Sequence, residues 1–210
     1  MTRVSGLLLA AGAGRRMGRP KALLRDAGGA SMLVGAVEPL LAGGCEEVVV
    51  VLGAEAEAAR ALLTDAVDGS LGTVRAVVAE DWERGMAASL ATGLAEPAPD
   101  GPGSDAVVVQ LVDLPDVGAA VVSRVVKTWR DSGADPAAIL RAAYGGEPGH
   151  PVLLGDDHRV ALAAEVASAL RAEGPADYGA RHYLADKQVQ LVECGDLASG
   201  HDVDRPEDLQ

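Results

Sequence analysis

The sequence predicts a three-layer α/β domain whose mostly parallel sheet carries helices on both faces. Three observations lead there. Apolar strand-like runs alternate with helical stretches nearly throughout the chain. Two of those runs, 46–53 (EEVVVVLG) and 106–112 (AVVVQLV), are almost continuously apolar, as strands buried on both faces must be. The first run, Leu7 to Ala11, breaks directly into a glycine-rich loop. Right-handed crossovers between parallel strands then put a ligand site at the carboxyl ends of the strands. With 210 residues and 49% hydrophobic content, residues 1–210 fit one domain with a full core.

The elements follow in order. Ser31 suits the N-cap of a helix running to about Leu41, which Gly43 and Gly44 stop. After the valine strand, Ala54 to Leu63 is Ala- and Glu-rich and helical. Val74 to Ala79 reads as a strand, Met86 to Leu94 as a helix, and Glu96 to Gly103 as a surface loop. Beyond the strand 106–112, a helix from Val117 to Arg130 puts Val121, Val122, Val125, Val126 and Trp129 on one face, with Asp116 as its cap. Ala137 to Ala143 and Pro151 to Leu154 read as short strands, His158 to Arg171 as a helix and Gln188 to Glu193 as a last strand.

Composition removes several classes of function. Net charge is −13, and the chain has two Trp, three Tyr and no Phe. Both features argue against a nucleic-acid binder, which needs positive charge and aromatic platforms. No apolar segment reaches the ~18 residues of a membrane helix. Cys45 and Cys194 form neither a C-x-x-C pair nor a metal cluster, so they read as packing residues of a reduced, cytoplasmic protein. The start of the chain reads as a first strand, because its apolar run is short and a basic loop follows at once.

That loop gathers the positive charge. Arg3, Arg15, Arg16, Arg19, Lys21 and Arg25 are six of 18 cationic residues, and no acid precedes Asp26. Glycines at 12, 14 and 18 let backbone N–H groups approach a ligand, and with the cations they suit a phosphate. Neither common phosphate-loop pattern fits. Lys21 falls three residues after Gly18 and precedes Ala22, unlike a P-loop, and the glycine spacing is one residue too wide for the dinucleotide fingerprint.

Carboxylates supply a second constellation. Asp113 ends the strand 106–112, where it faces the same crevice as the glycine loop, and a hard ion such as Mg²⁺ prefers its oxygen. Asp202 and Asp204 lie two apart, on one face if that segment is extended. Asp204-Arg205-Pro206-Glu207 also reads as a capping box with proline at the first helical position, so Asp204 has a structural alternative to metal binding.

Together these residues resemble the MobA-like nucleotidyltransferase family, and within it the molybdenum cofactor cytidylyltransferase branch. The likeness rests on Leu9-Ala10-Ala11-Gly12-Ala13-Gly14-Arg15-Arg16-Met17-Gly18-Arg19-Pro20-Lys21, on Gly85-Met86-Ala87-Ala88-Ser89, on Asp113-Leu114-Pro115, on Gly149-His150-Pro151, and on the D-x-D-x-P-E-D run from Asp202 to Asp208. It spans nearly the full length and implies a Rossmann-like fold of the nucleotide-diphospho-sugar transferase type. It also implies a nucleotide site at Leu9, Ala10, Ala11, Gly12, Gly14, Arg15, Arg16, Lys21, Gly85, Met86 and Ser89. Arg16 and Lys21 would act on the leaving pyrophosphate and Asp113 in catalysis, with Mg²⁺ held by Asp113 and by Asp202 or Asp204. His150 and Arg181 would meet the acceptor; Asp177 and Gly179 also match the family.

The implied reaction is transfer of CMP from CTP to a phosphate-bearing acceptor, foremost molybdopterin or the molybdenum cofactor, with a molybdoenzyme or its chaperone as protein partner. The Ala-Ala-Gly at 10–12 resembles the cytidine-using branch. Leu114 departs from that branch, where glutamine is common. Alternatives are a sugar or alcohol phosphate as acceptor, an NAD(P)H-dependent oxidoreductase of the same fold resembling nicotine-dye reductases, and a non-catalytic cofactor chaperone.

Overall fold

The computed structural model describes residues 2–26, 28–67, 73–96, 103–172 and 180–208. Its strands are β1 (Val4–Ala10), β2 (Glu47–Leu52), β3 (Thr73–Val78), β4 (Ala106–Leu111), β5 (Ile139–Tyr144), β6 (Glu147–Gly155) and β7 (Gln190–Glu193). Its helices are α1 (Met32–Ala42), α2 (Ala56–Val67), α3 (Met86–Ala95), α4 (Ala119–Asp131), α5 (Asp156–Arg171) and α6 (Ala180–Leu184). The strands form one seven-stranded sheet in the order β3-β2-β1-β4-β6-β5-β7. This is the α/β arrangement the sequence predicts, a mostly parallel sheet with helices on both faces.

Alternation along the strands sorts the core into two layers. Leu8, Val48, Val50, Val108, Leu140 and Leu153 pack with α1, α2 and α4. Leu7, Leu9, Val49, Val51, Val107, Val109, Val152 and Leu154 pack with α3, α5 and α6. The predicted stripe on α4 is buried on the first of these faces, with Trp129 fully enclosed. Ser31 caps α1 by accepting from Val34 N at 3.5 Å. No described helix is long and apolar enough to cross a membrane.

Three expectations change. β6 runs antiparallel to both β4 and β5, and a two-residue Gly145-Gly146 turn joins β5 to β6. Both glycines have positive φ, 62° and 85°, as the tight hairpin turn requires. β6 is also longer than 151–154, so His150 sits inside a strand. Asp116 does not cap α4, which starts at Ala119 after Gly118. Its Oδ2 instead accepts from Ser199 N and Oγ, each at 2.6 Å, and from Gly200 N at 3.2 Å. Asp116 therefore pins the C-terminal segment beside the end of β4. Most of the loop predicted over 96–103, its residues 97–102, lies outside the described residues.

Helix α3 approaches the sheet closely because Gly93 has no side chain. A Cβ there would lie 2.3 Å from Leu7 Cδ1 and 2.8 Å from Val51 Cγ2. Gly93→Val should therefore overpack this layer and lower stability by about 1–3 kcal/mol. A urea midpoint equal to that of the unsubstituted protein would refute this use of the glycine.

Candidate functional site

The carboxyl ends of β1 and β4 open into a cleft of about 480 Å³. One wall is the loop that follows β1, contributing Ala11, Gly12, Ala13, Gly14, Arg15 and Lys21. The opposite wall is the start of α3, with Gly85, Met86 and Ser89, preceded by Trp82 and Glu83. Leu9, Leu111, Val112 and Asp113 form the floor. Arg16 lines an adjoining hollow shared with Gly14, Arg15, Met17, Lys21 and Asp204. Of the sequence-predicted nucleotide residues, only Ala10 lines neither; it is buried in β1 with 3% exposure.

The loop is held in shape from within. Gly14 has φ of 59°, and a Cβ there would stand 1.9 Å from the Arg19 carbonyl oxygen, so the chain folds back on itself in a way only glycine allows. Met17 N donates to Gly14 O at 2.9 Å. The Met17 side chain joins Leu24, Met32 and Val203 in a small separate apolar cluster. That cluster ties the loop to the C-terminal segment, and Val203 N donates to Asp113 O at 2.8 Å.

Lys21 is the centre of the charge pattern. Its Nζ donates to Asp113 Oδ2 at 2.7 Å and to Asp204 Oδ1 at 2.6 Å, while Arg16 Nη1 reaches Asp204 Oδ2 at 2.6 Å. Burial alone would lower the Lys21 pKa, but the hydrogen bonds to Asp113 and Asp204, with their charges, outweigh it and raise it. Asp204 is held below its ordinary range, chiefly by its bond from Lys21. Nothing of the predicted capping box uses the Asp204 carboxylate. The cap runs the other way: Asp208 Oδ2 accepts from Asp204 N at 3.0 Å and Arg205 N at 2.8 Å. Among the described residues the Asp204 carboxylate thus serves ion pairs with Lys21 and Arg16 and no cap.

The acids fit a divalent cation on two observations. One oxygen each from Asp113, Asp202 and Asp204 lie within 4.8 Å of one another. Asp113 Oδ1 is buried with no hydrogen-bond partner among the described residues, a desolvated oxygen that a hard cation would satisfy. The start of α3 adds positive potential. Gly85 takes φ of 98° at its N-cap, no side chain caps it, and its first turn holds no acid.

A basic group lies on the same sheet face. The β4–β6 register ends at Val109 opposite Val152, two residues after His150 in β6. Val152 faces the α3–α5 layer, and the Arg141 guanidinium lies near His150. Burial, then the nearby Arg141 guanidinium, lowers the His150 pKa to about 4. Arg141 is itself lowered by burial and by Arg181. Arg141 is braced by donating from Nε to Gly149 O at 2.7 Å and from Nη2 to Pro148 O at 3.2 Å. Neither His150 nor Arg181 lines the cleft. Asp177 and Gly179 fall outside the described residues.

Sequence reasoning missed Arg141, because an arginine in an apolar strand gives no sign of its neighbours. Trp82 both packs against the Leu9 layer and lines the cleft. Leu114 is 7% exposed and belongs to the core, so this departure from the branch pattern points away from the cleft.

Residues 6–191 match the profile of the MobA-like NTP transferase domain. A curated relative, nicotine blue oxidoreductase of Paenarthrobacter nicotinovorans, is 37% identical over 98% of this chain and 94% of its own. Among solved structures, Rv0371c of Mycobacterium tuberculosis superposes with a TM-score of 0.68 at 26% identity, covering 99% of this chain and 95% of that one. A manganese complex of the same mycobacterial protein gives 0.66 at 24%, covering 96% and 94%. Molybdopterin-guanine dinucleotide biosynthesis protein A of Archaeoglobus fulgidus gives 0.64 at 17% identity, a likeness of fold, over 98% of this chain and 94% of that one.

The ion pairs set a pH window. The depressed Asp204 contributes stability above its unfolded value near 3.8, lost as pH falls through its lower folded value. The raised Lys21 contributes below its unfolded value of 10.5, lost as pH climbs past the folded one. The melting-temperature gap between the unsubstituted protein and Asp204→Asn should stay constant from about pH 5 to pH 9 and close below about pH 4. A gap that persists unchanged to about pH 2 would show that Asp204 is not ion-paired in solution.

Proposed function

The chain belongs to the MobA-like NTP transferase family, and from that premise we propose a divalent-metal-dependent nucleotidyltransferase that moves CMP from CTP to a phosphate-bearing acceptor. The observation that carries this reading is Lys21, whose ammonium joins Asp113 and Asp204 at the edge of a cleft built by the glycine loop and the start of α3. Positive donors, carboxylates and an uncapped helix start converge there, as a metal-bound triphosphate requires.

In the proposed reaction an acceptor phosphate oxygen bonds to the α-phosphorus while the bond from that phosphorus to the bridging oxygen breaks and pyrophosphate leaves. The acceptor phosphate, with a second pKa of about 6, is already largely deprotonated at neutral pH, so no strong general base is needed. Lys21 and Arg16 hold pyrophosphate oxygens, and Arg15 and the loop N–H groups hold the rest of the triphosphate. Met86 and Ser89 face the nucleoside. Lys21 exchanges its carboxylate partners for phosphate oxygens when the nucleotide binds. A Mg²⁺ or Mn²⁺ ion held by Asp113 with Asp202 or Asp204 would neutralise charge on the phosphates. The manganese bound by the mycobacterial neighbour accords with that.

On the acceptor side, Arg141 and Arg181 offer positive charge to an anionic group, and His150, its pKa lowered to about 4, offers a neutral imidazole. Molybdopterin or the molybdenum cofactor is the acceptor that the order of motifs favours, with a molybdoenzyme or its chaperone as the partner that receives the product. Ala10-Ala11-Gly12 favours cytidine.

A second reading rests on the 37% identical relative, whose name makes it an oxidoreductase. It requires a nicotinamide or flavin site, and the loop does not follow the dinucleotide fingerprint. NADPH consumption with a quinonoid dye, in the absence of pyrophosphate release, would transfer the assignment to that reading.

Two measurements test the proposal. Asp113→Asn should cut pyrophosphate release by about a hundredfold or more while the fold persists; undiminished turnover removes Asp113 from the mechanism. In thermal-shift screening, CTP with Mg²⁺ should stabilise more than GTP, ATP or UTP, by about 2.7 kcal/mol at about 100 times its Kd. A flat response to all four would remove the nucleotide.

A further inference from the structure

A second cavity, of about 250 Å³, lies at the opposite edge of the sheet, where β1, β2 and β4 begin. Ser5, Glu47 and Val107 lie on the sheet side, Gly93, Leu94 and Glu96 come from the end of α3, and Arg159 from α5. Glu47 shares its strand face with Val49 and Val51, so its side chain points into the α3–α5 layer where apolar packing gives way to this space.

Glu47 is the unusual member. It is only 6% exposed, yet its Oε2 has no hydrogen-bond partner among the described residues. A buried carboxyl oxygen left so has lost its water without gaining a donor, which is costly. The neighbouring charges do not relieve it. Arg75 Nη1 pairs with Glu96 Oε2 at 3.1 Å, and Arg159 Nε with Asp156 Oδ1 at 2.6 Å. Arg159 Nη1 also donates to Leu94 O at 3.3 Å. A carboxyl group thus faces the cavity with its need for a donor unmet, beside the hydroxyl-bearing Ser5 and Ser104.

We propose that this cavity is a binding site for a small protonated amine or guanidine, whose N–H groups donate to Glu47 and whose body fills the space under the end of α3. A cation that donates hydrogen bonds complements the one unmatched acid, and the volume lies below the roughly 300–1,000 Å³ of drug-sized sites. The site is separate from the cleft, whose floor is at the other ends of the same strands.

Calorimetric titration of the full chain with 1,4-diaminobutane, ethylammonium and methylguanidinium, against neutral 1-propanol, tests the idea. At least one cation should bind with Kd below about 10 mM, and propanol should not. Glu47→Gln should weaken that binding about tenfold or more, and Asp113→Asn should leave it unchanged. Backbone amide shifts on titration should centre on Ser5, Glu47 and Ser104, a readout that stands even where the variant folds poorly. Three results would each overturn the proposal: no saturable cation, undiminished binding by Glu47→Gln, or shifts confined to the loop 11–21.

Discussion

The site depends on one ion pair network more than on any other contact. Lys21, at the end of the first loop, meets Asp113, ninety-two residues later, and Asp204, near the end of the chain. All three groups are partly shielded from solvent, so their attraction is screened less than at an open surface. The network closes three distant segments around one point. The apolar cluster of Met17, Leu24, Met32 and Val203 supports it from below, fixing the backbone so that the charges need not do so alone.

Packing determines where the two walls of the cleft stand. A core made from Val, Leu and Ala keeps side chains short, and Gly93 brings the far half of α3 down onto Leu7 and Val51. The near half of that helix then starts beside the loop after β1. Gly53 contributes at the same place. A Cβ there would meet Ala11 O at 2.6 Å and Trp82 Cβ at 2.7 Å, so the turn after β2 lies against both walls. Small residues thus position the site without touching a ligand.

The single antiparallel strand has a chemical consequence. Had β6 followed a crossover and run parallel, His150 would not lie beside the carboxyl end of β4. The hairpin turns the chain back, so the Gly149-His150-Pro151 segment precedes the part of β6 that pairs with β4, on the side of the carboxyl end of β4. Glu193 supports the turn by accepting from Gly145 N, Gly146 N and Gly195 N, each at 2.9 Å. The three backbone bonds hold its carboxyl below the usual range.

The sequence by itself determined the layers, most of the elements and the membership of Lys21 and Asp113 in one crevice. Those features rest on periodicity, on glycine spacing and on charge gathered in a short stretch, all local in the chain. Tertiary structure alone decided that Asp204 spends its carboxylate on Lys21 rather than on a cap, that Asp116 holds the C-terminal segment, and that Arg141 stands near His150. Each of these is a choice among hydrogen-bond partners far apart in sequence. Local pattern shows which groups are able to bond, and only the packed chain brings one partner within reach and removes the others.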